Sequence, residues 1–326
     1  MIDGPSTGVG PAPATGRMVS IYCPAMPDSS APPPLTDARA LGRVLGRLAR
    51  AETAPWLHQE VARRMAERLP VIKQAPEHWL DWWGFTGGGA LSVQAVWPQA
   101  RRSVAEPTAA LAERSRQALQ APWWAWGARR QAAAQPVWLT DEVPPAQAQM
   151  LWANLVLHTA ADPAAMLAAW HRALAVDGFV MFSTFGPDTL RELRGVYSAA
   201  GWPAPHPPYI DMHDLGDLMV HAGFADPVMD QETIRLTWSS PEALLAELRT
   251  LGGHLGTGRA PGLRTPRWRA RLLAALAGRA DADGRIAMSF ELVYGHAYKA
   301  QPRPARGEPV TVSLEALRAT LPKHRP

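Results

Sequence analysis

Between residues 57 and 69 apolar side chains recur every four positions, at Leu57, Val61, Met65 and Leu69, and so share one face of a helix. A helix is also predicted just before it, from a cap at Thr36 or Asp37 through about Ala51. From about residue 78 the periodicity changes, and short apolar runs alternate with helical stretches. The pattern predicts strands over 78–82, 102–105, 137–139, 150–154 and 178–184, with helices over 90–96, 107–119, 162–175 and 187–200. Pro107 is placed to open its helix. The run GFVMFST at 178–184 is almost wholly apolar, as a strand buried on both faces should be. Two later strands, 232–238 and 286–299, flank a helical stretch at 241–280. This silhouette is α/β: a doubly wound, seven-stranded, mostly parallel sheet with a helical insertion before its last strand.

In such sheets ligands collect at the carboxyl ends of the strands, where the strand order reverses. Three features of this chain are predicted to meet there. The first strand runs into LDWWGFTGGG (80–89), a glycine loop that includes Gly84, Thr86 and Gly87. The second ends at Glu106, a carboxylate able to accept two ribose hydroxyls, although an acid near a helix N-terminus also has an ordinary electrostatic use. The fourth ends at Asn154, and Asp141 follows the third, where it is a candidate to receive an adenine amino group.

The order LDWWGFTGGG, VAEPTAAL, LWANLVLHTAADPAAMLAAWHRAL, DGFVMFSTFGPDTLRELR resembles the class I S-adenosylmethionine methyltransferases, a Rossmann-like fold. Within them, FSTFGPDTLRELR, YIDMHDLGDLMVHAGFADPVMD, LLAELRTLGGH and the closing DGRIAMSFELVYGHAYK look like the biotin-pathway malonyl-ACP O-methyltransferases, the BioC family. The resemblance spans roughly residues 38–300. It implies S-adenosyl-L-methionine as cofactor, held by Asp81, Gly84, Thr86, Gly87, Glu106, Asp141 and Asn154, and the free carboxylate of malonyl-ACP as methyl acceptor. The family loop reads approximately Leu-Asp-x-Gly-x-Gly-Thr-Gly. Leu80, Asp81, Thr86 and Gly87 match it, while Trp83 and Phe85 replace two glycines that let backbone approach the cofactor. The resemblance implies no general base, because a carboxylate acceptor is already ionised at neutral pH, so no catalytic residue is assigned. Arg191, Arg194 and Arg249 are the candidate cations for the substrate, each with the alternative of a solvated helix-face arginine. His213 and Asp214 are read as the start of a helix, and His254 as part of a turn or lid hinge.

Composition alters this picture little. The chain has 326 residues, 47% of them apolar and 19% charged, which suits a globular domain and excludes a disordered chain as a whole. The expected organisation is a Pro-rich tail at 1–34, one domain over 35–300 with a lid-like insertion at about 240–283, and a tail at 301–326. A net charge of +4 and the arginines of RAPGLRTPRWRARL suit an acidic carrier protein; nucleic acid is the weaker reading, a plain solvated helix face the bland one. One cysteine, Cys23, forms neither an intramolecular disulfide nor a cysteine metal cluster, and no metal site is expected. With no secretory-type N-terminus and no apolar span, the expectation is a cytoplasmic protein without membrane segments. The competing function is a catalytically degenerate relative, its pocket filled by Trp83 and Phe85, serving as a binding or assembly partner.

Overall fold

The computed structural model describes residues 36–119, 135–259 and 264–301. The expected tails (all but Gln301), the PWWAW run at 122–126 and Cys23 lie outside them. Helix α1 (Ala38–Leu48) is capped by Asp37, whose carboxylate accepts from the N–H groups of Arg39 and Ala40. Helix α2 (Trp56–Ala66) buries Leu57, Val61 and Met65, as the four-residue repeat predicts. The alternating part follows: β1 (His78–Trp82), α3 (Gly84–Gly87), α4 (Ala90–Val96), β2 (Arg101–Glu106), α5 (Ala109–Leu119), β3 (Val137–Leu139), β4 (Ala148–Asn154), α6 (Pro163–Ala173) and β5 (Leu174–Phe185). Then come α7 (Arg191–Ala199), α8 (Met212–His221), β6 (Ala225–Trp238), α9 (Pro241–Thr250), α10 (Pro266–Ala277) and β7 (Ile286–Tyr298).

The seven strands lie in the order β3-β2-β1-β4-β5-β7-β6. All neighbouring pairs from β3 to β5 are parallel, and β7 runs antiparallel to both β5 and β6. This is the doubly wound, mostly parallel seven-stranded sheet that the resemblance implies, with α9 and α10 as the insertion before β7. Side-chain alternation divides the core. Met150 and Trp152 of β4, with Phe179 and Met181 of β5, pack against α2, α7, α9 and α10. Leu151 and Ala153, with Val180 and Phe182, pack against α1, α5, α6 and α8. No helix of the described residues is long and apolar enough to cross a membrane.

Several boundaries differ from expectation for local reasons. Pro107 does not open α5; Thr108 intervenes, and its hydroxyl accepts from the Leu111 N–H at 3.3 Å. The helix expected from residue 187 starts at Arg191, because Leu190 sits at φ 55° and the Thr189 hydroxyl donates to the Glu291 carbonyl at 2.9 Å. Strand β6 begins at Ala225 rather than 232, since β7 pairs with it from Ala225 to Trp238 apart from a bulge before Val228. The stretch 241–280 is two helices, each opened by proline after a capping hydroxyl, Ser240 or Thr265. Asp211 caps α8, one residue ahead of Met212, so His213 and Asp214 fall in its first turn.

Candidate active site

The order reversal falls at β1, between β2 and β4, and the glycine loop leaves from its end. Trp83 is anchored by its N–H on the Ala105 carbonyl at 2.6 Å and turns the chain at φ 59°, ψ 47°. A left-handed turn at this point explains why the family sequence prefers glycine there. The single turn α3 follows, and Gly88 ends it at φ 67°. The Trp83 side chain is 7% exposed and belongs to the cluster containing Leu45 and Ala49 of the α1 segment, Ala105 and Val143. Phe85 is half-buried under the Arg114 guanidinium, whose carbon stands 5.1 Å from the ring centroid. The two aromatics therefore pack into the roof and rim of the loop.

Asp81 is fully buried and receives Nη2 and Nε of Arg102 on one oxygen, at 2.7 and 3.0 Å. Burial still raises its pKa against the pull of Arg102. Gly84 has a packing role at this pair, since a Cβ there would stand 2.8 Å from the Asp81 carboxylate and 2.9 Å from the Arg102 guanidinium. Glu106 lies beside them, its Oε1 accepting from the Phe85 N–H at 2.8 Å and the Ser115 hydroxyl at 2.6 Å. Burial pushes Glu106 up to about 7, against those hydrogen bonds. One oxygen of each carboxylate, Asp81 Oδ1 and Glu106 Oε2, is buried without a donor.

Asn154 ties the other side together. Its amide donates to the carbonyls of Gly87 and His58, at 2.6 and 2.7 Å, and its oxygen accepts from Ser183 at 2.7 Å. Ser183 is its register partner across β4 and β5, and its own oxygen accepts from the Leu155 N–H at 3.0 Å. Asn154 thus holds the loop in place from below. The Thr86 carbonyl lies 2.8 Å from His58 Nδ1, so that nitrogen carries the proton and Nε2 keeps a buried lone pair without partner. Burial lowers His58 to about 4 and keeps it neutral.

Of the other predicted residues, Asp141 is exposed in the turn after β3, one residue past Thr140, whose N–H donates to the Glu106 carbonyl at 3.0 Å. A cavity of about 330 Å³ opens past the ends of β4 and β5, lined among others by His158, Phe185, Tyr209, Arg249 and His254. Arg249 therefore reaches it. Arg191 instead pairs at the surface with Asp188 and Glu192, and Arg194 bonds the Pro187 carbonyl beside Asp188; neither lines the cavity. Residues that the sequence reading passed over are Arg102, Ser115, His58, Ser183, His158 and Arg47. Only Ser183 carried a visible signal, a hydroxyl near the end of an otherwise apolar strand.

No protein-family model matches this chain. The malonyl-[acyl-carrier protein] O-methyltransferase of Laribacter hongkongensis is 39% identical over 263 residues, covering 78% of this chain and 86% of the relative. The chain belongs to the malonyl-[acyl-carrier protein] O-methyltransferase family. A second member, from Gallionella capsiferriformans, is 35% identical over 83% of this chain and 93% of its own length. Among solved structures, the YcgJ protein of Bacillus subtilis aligns with a TM-score of 0.47 and 10% identity, covering 74% of this chain and 99% of its own.

A methyltransferase of this family needs S-adenosylmethionine, and the polar atoms around the loop suit it. Two buried carboxylate oxygens that lack donors, on Asp81 and Glu106, complement a ligand bearing ribose hydroxyls and an ammonium group.

Proposed function

We propose that this chain transfers a methyl group from S-adenosylmethionine to the free carboxylate of malonyl-ACP, as a step of biotin synthesis in the cytoplasm. Membership of the malonyl-ACP O-methyltransferase family carries the reading. Glu106 and Asp81 would hold the cofactor's donors, with Asp141 at the adenine end, while Asn154, Gly84, Thr86 and Gly87 keep the loop in shape. When bound, the cofactor would supply an electrophilic methyl group to a carboxylate oxygen, the S–CH3 bond breaking as S-adenosylhomocysteine leaves. The acceptor is ionised at neutral pH, so the protein moves no proton. Its work is alignment and exclusion of water.

The cavity supports this division of labour. It is walled by His158 and Phe185 and roofed by the insertion through Arg249 and His254. Burial, aided by the nearby His58, lowers His158 to about 3, so the wall is uncharged there. The carrier would dock on α10, where Arg267, Arg269 and Arg271 are exposed. Trp268 of that helix meets Tyr197, a cavity residue, at 6.2 Å between centroids, which leads from the basic face to the cavity. An acidic carrier there is favoured by charge and placed to pass its acyl arm inward.

The test is methyl transfer itself. Purified protein, methyl-labelled S-adenosylmethionine and malonyl-ACP should yield a singly methylated acyl-ACP by mass spectrometry, and acetyl-ACP, which lacks the free carboxylate, should yield none. Cofactor binding without methylation of malonyl-ACP would overturn the proposal.

A further inference from the structure

The sequence pointed to Arg249 as a substrate cation; the structure adds a second from a distant part of the chain. Arg47, in the last turn of α1, lines the same cavity as Arg249. Its Nη2 donates to the carbonyls of Arg249 and Gly252, at 3.0 and 2.9 Å, which fixes the guanidinium at the end of α9. Nε and Nη1 make no hydrogen bond among the described residues. Neither Arg47 nor Arg249 belongs to any ion pair among the described residues. The acid nearest in sequence to α1, its cap Asp37, is already taken by Arg259 at 2.7 Å.

Arg47 is half-buried and Arg249 is exposed at the cavity's rim, and an anion held between them would offset their mutual repulsion. Burial, and then the charge of Arg249, hold Arg47 below its ordinary range. Among the described residues no carboxylate pairs with either arginine, and His206, His254 and Tyr209 also line the cavity. Such a lining suits a small carboxylate.

We infer that Arg47 and Arg249 form a two-armed clamp for the free carboxylate of a malonyl thioester, and that this clamp selects acyl groups ending in a free carboxylate. The inference rests on the methyltransferase reading for the identity of the acyl group. It assigns a binding role, with a kinetic signature. A guanidinium stabilises the full negative charge of the bound acceptor more than the reduced charge of the transition state. Losing it therefore raises KM and leaves kcat unchanged or higher. Methylation removes the charge that the clamp holds, so the ester product is released by the loss of its own attraction.

The experiment compares Arg249→Met and Arg47→Met with the parent protein. The expected result is a KM for malonyl-ACP raised on the order of tenfold or more in each, from loss of a charge-assisted contact. Affinity for S-adenosylmethionine, measured by calorimetry, should stay within about twofold. Because Arg47 also fastens α1 to the end of α9, its variant reports on folding as well as binding; Arg249→Met, whose side chain makes no hydrogen bond among the described residues, carries the test by itself. A KM unchanged in Arg249→Met, or a loss confined to kcat, would overturn the clamp. Binding of monoethyl malonate, with diethyl malonate as the uncharged control, is read without methyl transfer. Monoethyl malonate should bind the parent and be lost in Arg249→Met, with no binding of the diester. If that dependence holds while malonyl-ACP is not methylated, the reaction assignment fails and the clamp stands. Monoethyl malonate binding that ignores Arg249 sinks the clamp alone.

Discussion

Replacing Trp83 separates two opposed effects at the glycine loop. The side chain is 7% exposed, and its removal to Ala forfeits about 3–5 kcal/mol of burial and packing. The backbone at this position is left-handed, φ 59° and ψ 47°, which disfavours any residue with a Cβ by about 1–2 kcal/mol. Trp83→Gly loses the same side chain but relieves that strain, offset by about 0.4–1 kcal/mol of extra entropy in the unfolded chain. At the middle of each range, the glycine variant should therefore lose about 3 kcal/mol and be more stable than the alanine variant by about 1 kcal/mol. In ordinary helix or strand the order is the reverse, alanine ahead of glycine by about 0.5–1 kcal/mol, so the sign alone is diagnostic. Urea unfolding of the parent and both variants, compared at equal slopes, measures it. If Trp83→Ala proves as stable as Trp83→Gly, residue 83 does not bear the turn's strain and the account of the loop fails.

Two further outcomes follow from the buried carboxylates. Arg102→Met should destabilise by about 3–5 kcal/mol, because it strands the Asp81 charge in the core, and adding Asp81→Leu should recover much of that loss; urea midpoints that leave the double variant no better than the single would refute it. Glu106, raised from 4.5 to about 7 by burial, binds its proton more tightly folded than unfolded. Its contribution to stability is accordingly most favourable below pH 4.5, falls as pH rises toward 7 by up to about 1.4 kcal/mol per pH unit, and is flat above. Glu106→Gln should remove that slope from stability measured between pH 4.5 and 7, and an unchanged slope would place its origin elsewhere.

Periodicity determined much of this protein without any tertiary information. The apolar runs set β1, β3 and α4 to the residue, and strands at helix-length intervals specified a doubly wound sheet. Because that topology brings strand ends together, position alone puts Glu106 and Asn154 beside the glycine loop, which both hydrogen-bond. What the side chains meet there was not legible. Asp81 and Arg102 find each other because β1 and β2 are neighbours, and Asn154 finds Ser183, Gly87 and His58 across two strands, a loop and a helix. Local pattern reports which face of an element is apolar, whereas hydrogen bonds between elements depend on how those elements are stacked. The same holds for the arginines. Arg191, Arg194 and Arg249 look alike in sequence, and only folding delivers one to the cavity. There it meets Arg47, 202 residues away in the chain, because α1 crosses to the end of α9. Trp83 shows the limit from the other side: its sequence marks a departure from glycine, and only the folded loop shows a left-handed turn kept beneath a buried indole.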